Sequence, residues 1–243
     1  MRKRFNLIVI FFASIQFLQP VIFTKGIDLF NLSTKVQAET NKSYINKAVK
    51  AMNNGEIENA ISIINKGLEQ KPDYPLNMLS YSLLATIYAT SKQYNQSILN
   101  YTRAIEAAPD SEPTLAGMYA MRAKQKEDNK DLRGAISDYT IAIEKESGTF
   151  DVSKWHNMRA YSKMLIGDNQ GAIEDYSFSI NLNPSSRDSS GLYLLRGYNK
   201  KITKDIKGSC SDLEKAKELG GLTIEQVKEA EESFKCSFYR IPN

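Results

Sequence analysis

A small residue returns along this chain at a nearly constant interval: Ala60, Ser97, Ala135, Ala172 and Ser209 follow one another at steps of 37, 38, 37 and 37. A fixed period of this length restricts a chain to stacked copies of one supersecondary unit, because a single copy cannot bury its own apolar face. Each anchor carries the same surroundings. Twelve residues upstream stands a second small residue, in turn Ala48, Ala85, Ala123, Ala160 and Gly197. Seven residues downstream stands a third: Gly67, Ala104, Ala142, Ser179 and Ala216. A bulky residue lies four after the anchor, at Ile64, Tyr101, Tyr139, Tyr176 and Leu213. A ring lies four before the first small residue, at Tyr44, Tyr81, Tyr119, His156 and Tyr193.

Helix packing explains why these residue types sit at these places. Two antiparallel helices approach to the short end of the usual separation of roughly 8 to 10 Å only where their facing side chains are small. The small residues are therefore crossing points, and the large residues four apart on one face fill the space between one pair and the next. Asn54-Gly55-Glu56 and Ile166-Gly167-Asp168 fall between the two helices of a pair and supply the turn. Pro72, Pro109 and Pro184 close three units, since proline cannot continue the second helix, and Ser147 and Gly221 take that place in the others.

The pattern resembles the tetratricopeptide repeat family. Tyr81-x2-Leu84-Ala85-x2-Tyr88, then Ser97-x3-Tyr101, then Ala104 and Pro109 follow its order of aromatic, small, small, aromatic, small and proline. The resemblance implies an all-α fold, a right-handed α-solenoid of about five helix pairs. The units fall at about 41–74, 78–111, 116–149, 153–186 and 190–222. Two departures stand out. The period is 37 or 38 where the family's is about 34, and Arg122, Arg159 and Arg196 occupy the place of a family leucine.

Residues 223–243 read as a capping helix and tail, with Thr223 as N-cap and Val227, Ala230, Phe234 and Phe238 at helical spacing. A cap is expected because the last unit would otherwise expose its stacking face. The two cysteines, Cys210 and Cys236, open the second helix of the fifth unit and end the presumed cap. Antiparallel packing of those helices brings the thiols to similar heights, and in an exported protein an even pair is read as bonded. Two buried, unpaired thiols are the alternative.

Met1-Arg2-Lys3-Arg4 followed by the apolar run Leu7 to Phe23 has the order of a secretory signal. Residues 1–38 are read as a signal peptide with Val36-Gln37-Ala38 as the best small-residue cleavage site, or as an uncleaved membrane anchor through residues 7–23. A cytosolic chain with an apolar N-terminus is the third reading. The expected location is accordingly exported, periplasmic or otherwise extracytoplasmic. This segment also carries the whole net charge of +4, so the remaining body is neutral and offers no general attraction for phosphate backbones. Nucleic acid is not an expected partner.

Catalysis finds no foothold in the sequence. The single histidine, His156, falls in the aromatic column, and no phosphate loop, CxxC pair or HExxH motif occurs. No cofactor and no metal are expected, and the acids Glu229, Glu231 and Glu232 read as the solvated face of the cap.

The family resemblance implies a concave surface lined by the first helix of each pair. Residues three before and one after the first small residue project into it: Ser82 and Thr86, Ala120 and Lys124, Asn157 and Tyr161, Leu194 and Tyr198. Such a groove suits an extended peptide. The lysine, asparagine and arginine clamp by which some family members hold a peptide carboxylate is not matched, since Ile45 and Val49 stand at its first positions. A non-catalytic scaffold that binds a peptide or protein is the leading expectation. A solenoid stacking on its own copies is the alternative, and an enzyme with an unrecognised site a remote third.

Overall fold

The computed structural model describes residues 32–71, 73–146, 149–182 and 184–236, with the backbone alone for 32–41 and 149–151. The basic and apolar stretch read as a leader, together with Pro72, Ser147 and Phe238, lies outside the described residues. Among the described residues there are eleven α-helices, and no strand. None of these helices is long and apolar enough to cross a membrane.

The first of two compact units, ending at Pro72, holds α1 (Leu32–Asn53) and α2 (Ile57–Glu69) packed on each other. Here α1 starts ahead of the repeat boundary at residue 41, because residues 32–40 contain no proline or glycine to stop it. Ala48, Ala60 and Ile64 are fully buried. A Cβ placed on Gly67 would stand 2.9 Å from Tyr44 Cβ, so this crossing accepts glycine alone.

The second unit is an α-solenoid of four helix pairs: α3 (Leu76–Thr90) with α4 (Tyr94–Ala107), α5 (Leu115–Asp128) with α6 (Leu132–Lys145), α7 (Thr149–Leu165) with α8 (Asn169–Leu182), and α9 (Ser190–Ile202) with α10 (Ile206–Glu218). Within this unit successive helices pack on one another from α3 to α10, and α11 (Ile224–Phe234) lies on α9 and α10. The small-residue columns are the crossings, with Ala85, Ala104, Ala123, Ala135, Ala142, Ala160, Ala172 and Ala216 at 0 to 1% exposure. The anchor Ser97 hides its hydroxyl by donating to the Ala85 carbonyl at 2.8 Å across the crossing. Trp155, the single tryptophan, is buried against the Ala123–Ala135–Tyr139–Ala142 core.

A local device sets the start of the second helix in three pairs. Asp131, Asp168 and Asp205 each accept a hydrogen bond from the amide of a glycine three residues on, Gly134, Gly171 and Gly208, at 2.9, 3.0 and 2.9 Å. A Cβ at any of these glycines would meet the carboxylate at 2.3 Å or less, so the cap and the glycine require each other. The cap helix starts on a reciprocal pair. Thr223 Oγ1 accepts from the Gln226 amide, and the Gln226 side chain accepts from the Thr223 amide.

Candidate functional site

The three arginines in the leucine column shape the face on which the first helices lie. Arg122 donates from Nε and Nη2 to the two oxygens of Asp138 at 2.7 and 2.8 Å, and from Nη1 to Thr102 at 3.0 Å. Arg159 repeats this on Asp175 at 2.9 and 2.6 Å with Thr140 at 3.0 Å. Arg196 repeats it on Asp212 at 2.9 and 2.6 Å with Ser177 at 3.1 Å. Each arginine thus clamps the second helix of its own pair and reaches back to the second helix of the preceding one. Lys126, Lys163 and Lys200 add a second cation to the same carboxylates at 2.8, 2.8 and 3.0 Å.

Rings complete each cluster. The Arg122 and Arg196 guanidinium groups sit 5.2 Å from the ring centroids of Tyr119 and Tyr193. In the α7–α8 pair His156 takes the tyrosine's place, bonds to Asp175 through Nδ1 at 2.7 Å and stacks on Phe178 with centroids 4.0 Å apart. Burial would raise the Asp175 carboxyl, but hydrogen bonds from His156, Arg159 and Lys163 outweigh it and hold the group well below the usual carboxylate range. The α3–α4 pair is the exception: Leu84 and Asn100 occupy the arginine and aspartate places, so that crossing is uncharged.

With the helices fixed in this way, the eight residues expected to line a groove divide, and Ala120 is buried at 1% exposure. Tyr161 and Tyr198 are 41% and 44% exposed at equivalent places one period apart. Lys124 is drawn onto its own helix, donating to Glu127 at 3.0 Å and Asp128 at 2.6 Å. Burial works against its charge, and these two carboxylates more than offset that, keeping its pKa above the ordinary lysine value. Ser82 and Thr86 face inward to the packing between helices. Ser82 donates to Met118 Sδ at 3.5 Å, and Thr86 bonds the Ser82 carbonyl and lies 3.2 Å from the Tyr101 hydroxyl. Asn157 is half-buried. Leu194 packs against Leu213, Ala230 and Phe234 beneath the cap, so the cap occupies this end of the face.

Three residues one helical turn further on, Asp128, Leu165 and Ile202, were not among those expected. Leu165 and Ile202 are 48% and 46% exposed. The signal was available: they stand four residues after Lys124, Tyr161 and Tyr198, on the same side of each helix. Between α5 and α7, Glu127 accepts from the buried Ser162 hydroxyl at 2.7 Å, which brings successive first helices side by side.

Tyr101, Tyr139 and Tyr176 are buried beneath this face. Burial raises the Tyr101 hydroxyl to about 12, and burial with Glu127 nearby raises those of Tyr139 and Tyr176 as well. At the far end, the sulphur atoms of Cys210 and Cys236 lie at bonding distance, with Cα atoms 5.5 Å apart. Among the described residues no cluster of histidine, cysteine or acids has the makings of a metal site.

Residues 80–111, which include the uncharged Leu84 crossing, match the tetratricopeptide repeat family model. Solved structures of similar fold include MamA, 18% identical with a TM-score of 0.62 over 71% of this chain and 94% of that one. They also include YrrB, described as a TPR protein with an unusual peptide-binding site, 16% identical with a TM-score of 0.65 over 83% and 98%. Pseudomonas aeruginosa PilF is 14% identical, with a TM-score of 0.58 over 85% and 93%. At these identities the likeness is one of fold. No curated protein sequence matches the chain.

Proposed function

Since this chain is a tetratricopeptide repeat protein, we propose that it is a non-catalytic scaffold that holds a peptide or protein segment against the exposed face of its first helices. The observation that carries this reading is the pair Tyr161 and Tyr198. Two rings at equivalent places, each more than two-fifths exposed, stand on a face that the arginine clusters hold rigid. Tyrosine supplies flat contact area at low entropic cost, which suits recognition of a partner better than it suits a solvated surface. Lys124 and Asn157 belong to the same proposed face, and Ser82, Thr86 and Leu194 support it from within or from its capped end. YrrB supports the reading as a protein of the same fold with a peptide-binding site.

The proposal includes the setting. Residues 1–38 act as export signal or anchor, the scaffold works outside the cytoplasm, and Cys210 and Cys236 are bonded there. Peptide mapping without reductant decides the last point, two free thiols in the native protein counting against it.

The scaffold reading is tested by panning a random peptide library against the full chain and repeating the binding with Tyr161→Ala and Tyr198→Ala. Loss of binding in both variants is expected. Binding that ignores both substitutions removes this face from consideration.

A further inference from the structure

The turn inside each helix pair places one residue in the left-handed region: Gly55, Lys92, Lys130, Gly167 and Lys204, at φ 83, 58, 69, 85 and 68°. Asparagine precedes this residue twice, at Asn54 and Asn129, and both are exposed. The two turns share their backbone bonds. The Gly55 and Glu56 amides donate to the Met52 and Ala51 carbonyls at 3.0 and 2.9 Å, and the Lys130 and Asp131 amides to those of Glu127 and Lys126 at 3.0 and 2.8 Å. They differ in the residue that follows the asparagine and in what its side chain meets.

An asparagine is open to internal acyl transfer when the next amide nitrogen can reach its Cγ, and a Cβ beside that nitrogen crowds the approach. Gly55 has no Cβ, and the place one would take is empty to 4 Å. Its bond to Met52 lies in the exposed last turn of α1, where local opening is cheap. The Asn54 carboxamide donates to Glu56 Oε1 at 3.2 Å, a bond between two exposed side chains. Asn129 is followed by a lysine, and its Nδ2 donates to Asn95 at 2.9 Å. Asn54-Gly55 is the single Asn-Gly step in the sequence.

We propose that Asn54 is a modification site, converted by intramolecular deamidation to isoaspartate in the α1–α2 turn. The Gly55 nitrogen gives its proton to hydroxide and bonds to Asn54 Cγ. The Cγ–Nδ2 bond breaks, ammonia leaves with a proton taken from water, and a succinimide ring closes. Water then opens the ring, at the Asn54 main-chain carbonyl to give isoaspartate or at Cγ to give aspartate. In sum an amide and a water become a carboxylate and an ammonium ion, with no change of oxidation state. Isoaspartate routes the main chain through the former side chain and inserts a methylene before Gly55. The Gly55 and Glu56 amides are thereby carried away from Met52 and Ala51, which loosens the turn that seats Ala60 and Ile64 of α2 on α1. A new carboxylate also stands beside Glu56, where an amide had donated to it.

Ageing of the full chain in mildly alkaline buffer tests this, read by peptide mass spectrometry and by methyl transfer from S-adenosylmethionine with an isoaspartyl methyltransferase. Asn54 is expected to gain the mass of an amide turned to an acid, and to accept the methyl group, about tenfold or more faster than Asn129. Gly55→Lys, which copies the turns at Lys92, Lys130 and Lys204, is expected to slow the conversion about tenfold. Lys130→Gly in an Asn95→Ala background is expected to open a second site at Asn129, and a glycine suits the φ of 69° there, so this variant serves even where Gly55→Lys folds poorly. An Asn54 that keeps its amide as long as Asn129 does overturns the proposal. So does a rate at Asn54 untouched by Gly55→Lys in a folded chain, or an Asn129 that stays intact in the Lys130→Gly variant.

Discussion

Arg159 and Asp175 meet through two parallel hydrogen bonds, Nε to Oδ2 at 2.9 Å and Nη2 to Oδ1 at 2.6 Å, with the aspartate side chain 4% exposed. Removing one partner of such a buried pair strands the other, which typically costs about 3 to 5 kcal/mol. Asp175→Ala is expected to lose that much, because it also strands Lys163 and unpairs His156. The double change Arg159→Leu with Asp175→Asn, which copies Leu84 and Asn100 of the α3–α4 pair, is expected to cost about 2 kcal/mol or less. Urea melts followed by Trp155 fluorescence measure both.

The same carboxylate makes stability depend on pH in one direction. Asp175 titrates lower in the fold than in the unfolded chain, where the value is about 4. Its contribution is therefore complete above that value and is withdrawn as pH falls from there toward the folded value. Urea midpoints between neutral pH and acid are expected to fall below about pH 4, and the fall is shallower in Asp175→Asn. An unchanged slope would assign acid unfolding to other carboxylates.

Gly197 is the one member of its column that is not alanine in the second unit, and the cap explains why. A Cβ there would meet Phe234 Cε2 at 3.0 Å, the Ser209 carbonyl oxygen at 3.1 Å and Asp212 Cβ at 3.3 Å. Gly197→Ala is expected to destabilise by about 1 to 3 kcal/mol through overpacking, and Phe234→Leu to recover part of the loss when combined with it. Thermal melts of the single and double variants check this.

The proposed bond between Cys210 and Cys236 predicts that reduction acts on the cap. It would close a loop with a sequence separation of 26, which corresponds to about 3 to 4 kcal/mol of loop-closure entropy. A dithiol reductant is expected to raise amide exchange in α11 while leaving α5 to α8 protected. Uniform loss of protection would mean that the bridge supports the whole second unit.

The helix pairs were legible because crossings demand small residues and the chain repeats them five times. The arginine clusters were half legible. Arg122, Arg159 and Arg196 were visible as departures, but their partners Asp138, Asp175 and Asp212 stand sixteen residues on, a constant offset that needs the pairing geometry before it has meaning. The exposed face was legible at Tyr161 and Tyr198 but not at Leu194, because the place where the cap settles depends on Phe234 and Gly197 together. The partners of Thr86 were not legible for a related reason: its hydroxyl meets the Ser82 carbonyl and the buried Tyr101 hydroxyl, which helix packing brings to it.

The reach of each arginine to the preceding pair gives the array a direction. Thr102 receives Arg122 although its own pair carries Leu84, and Arg196 reaches Ser177 although Glu214 stands where its own pair would offer a hydroxyl to a successor. The α3–α4 pair is thus a receiver without a donor, the α9–α10 pair a donor without a receiver, and the two pairs between are both. Only those two middle units could be duplicated in tandem with the arginine relay continued through the added copy, so lengthening of this protein, by gene duplication or by design, has a defined insertion point.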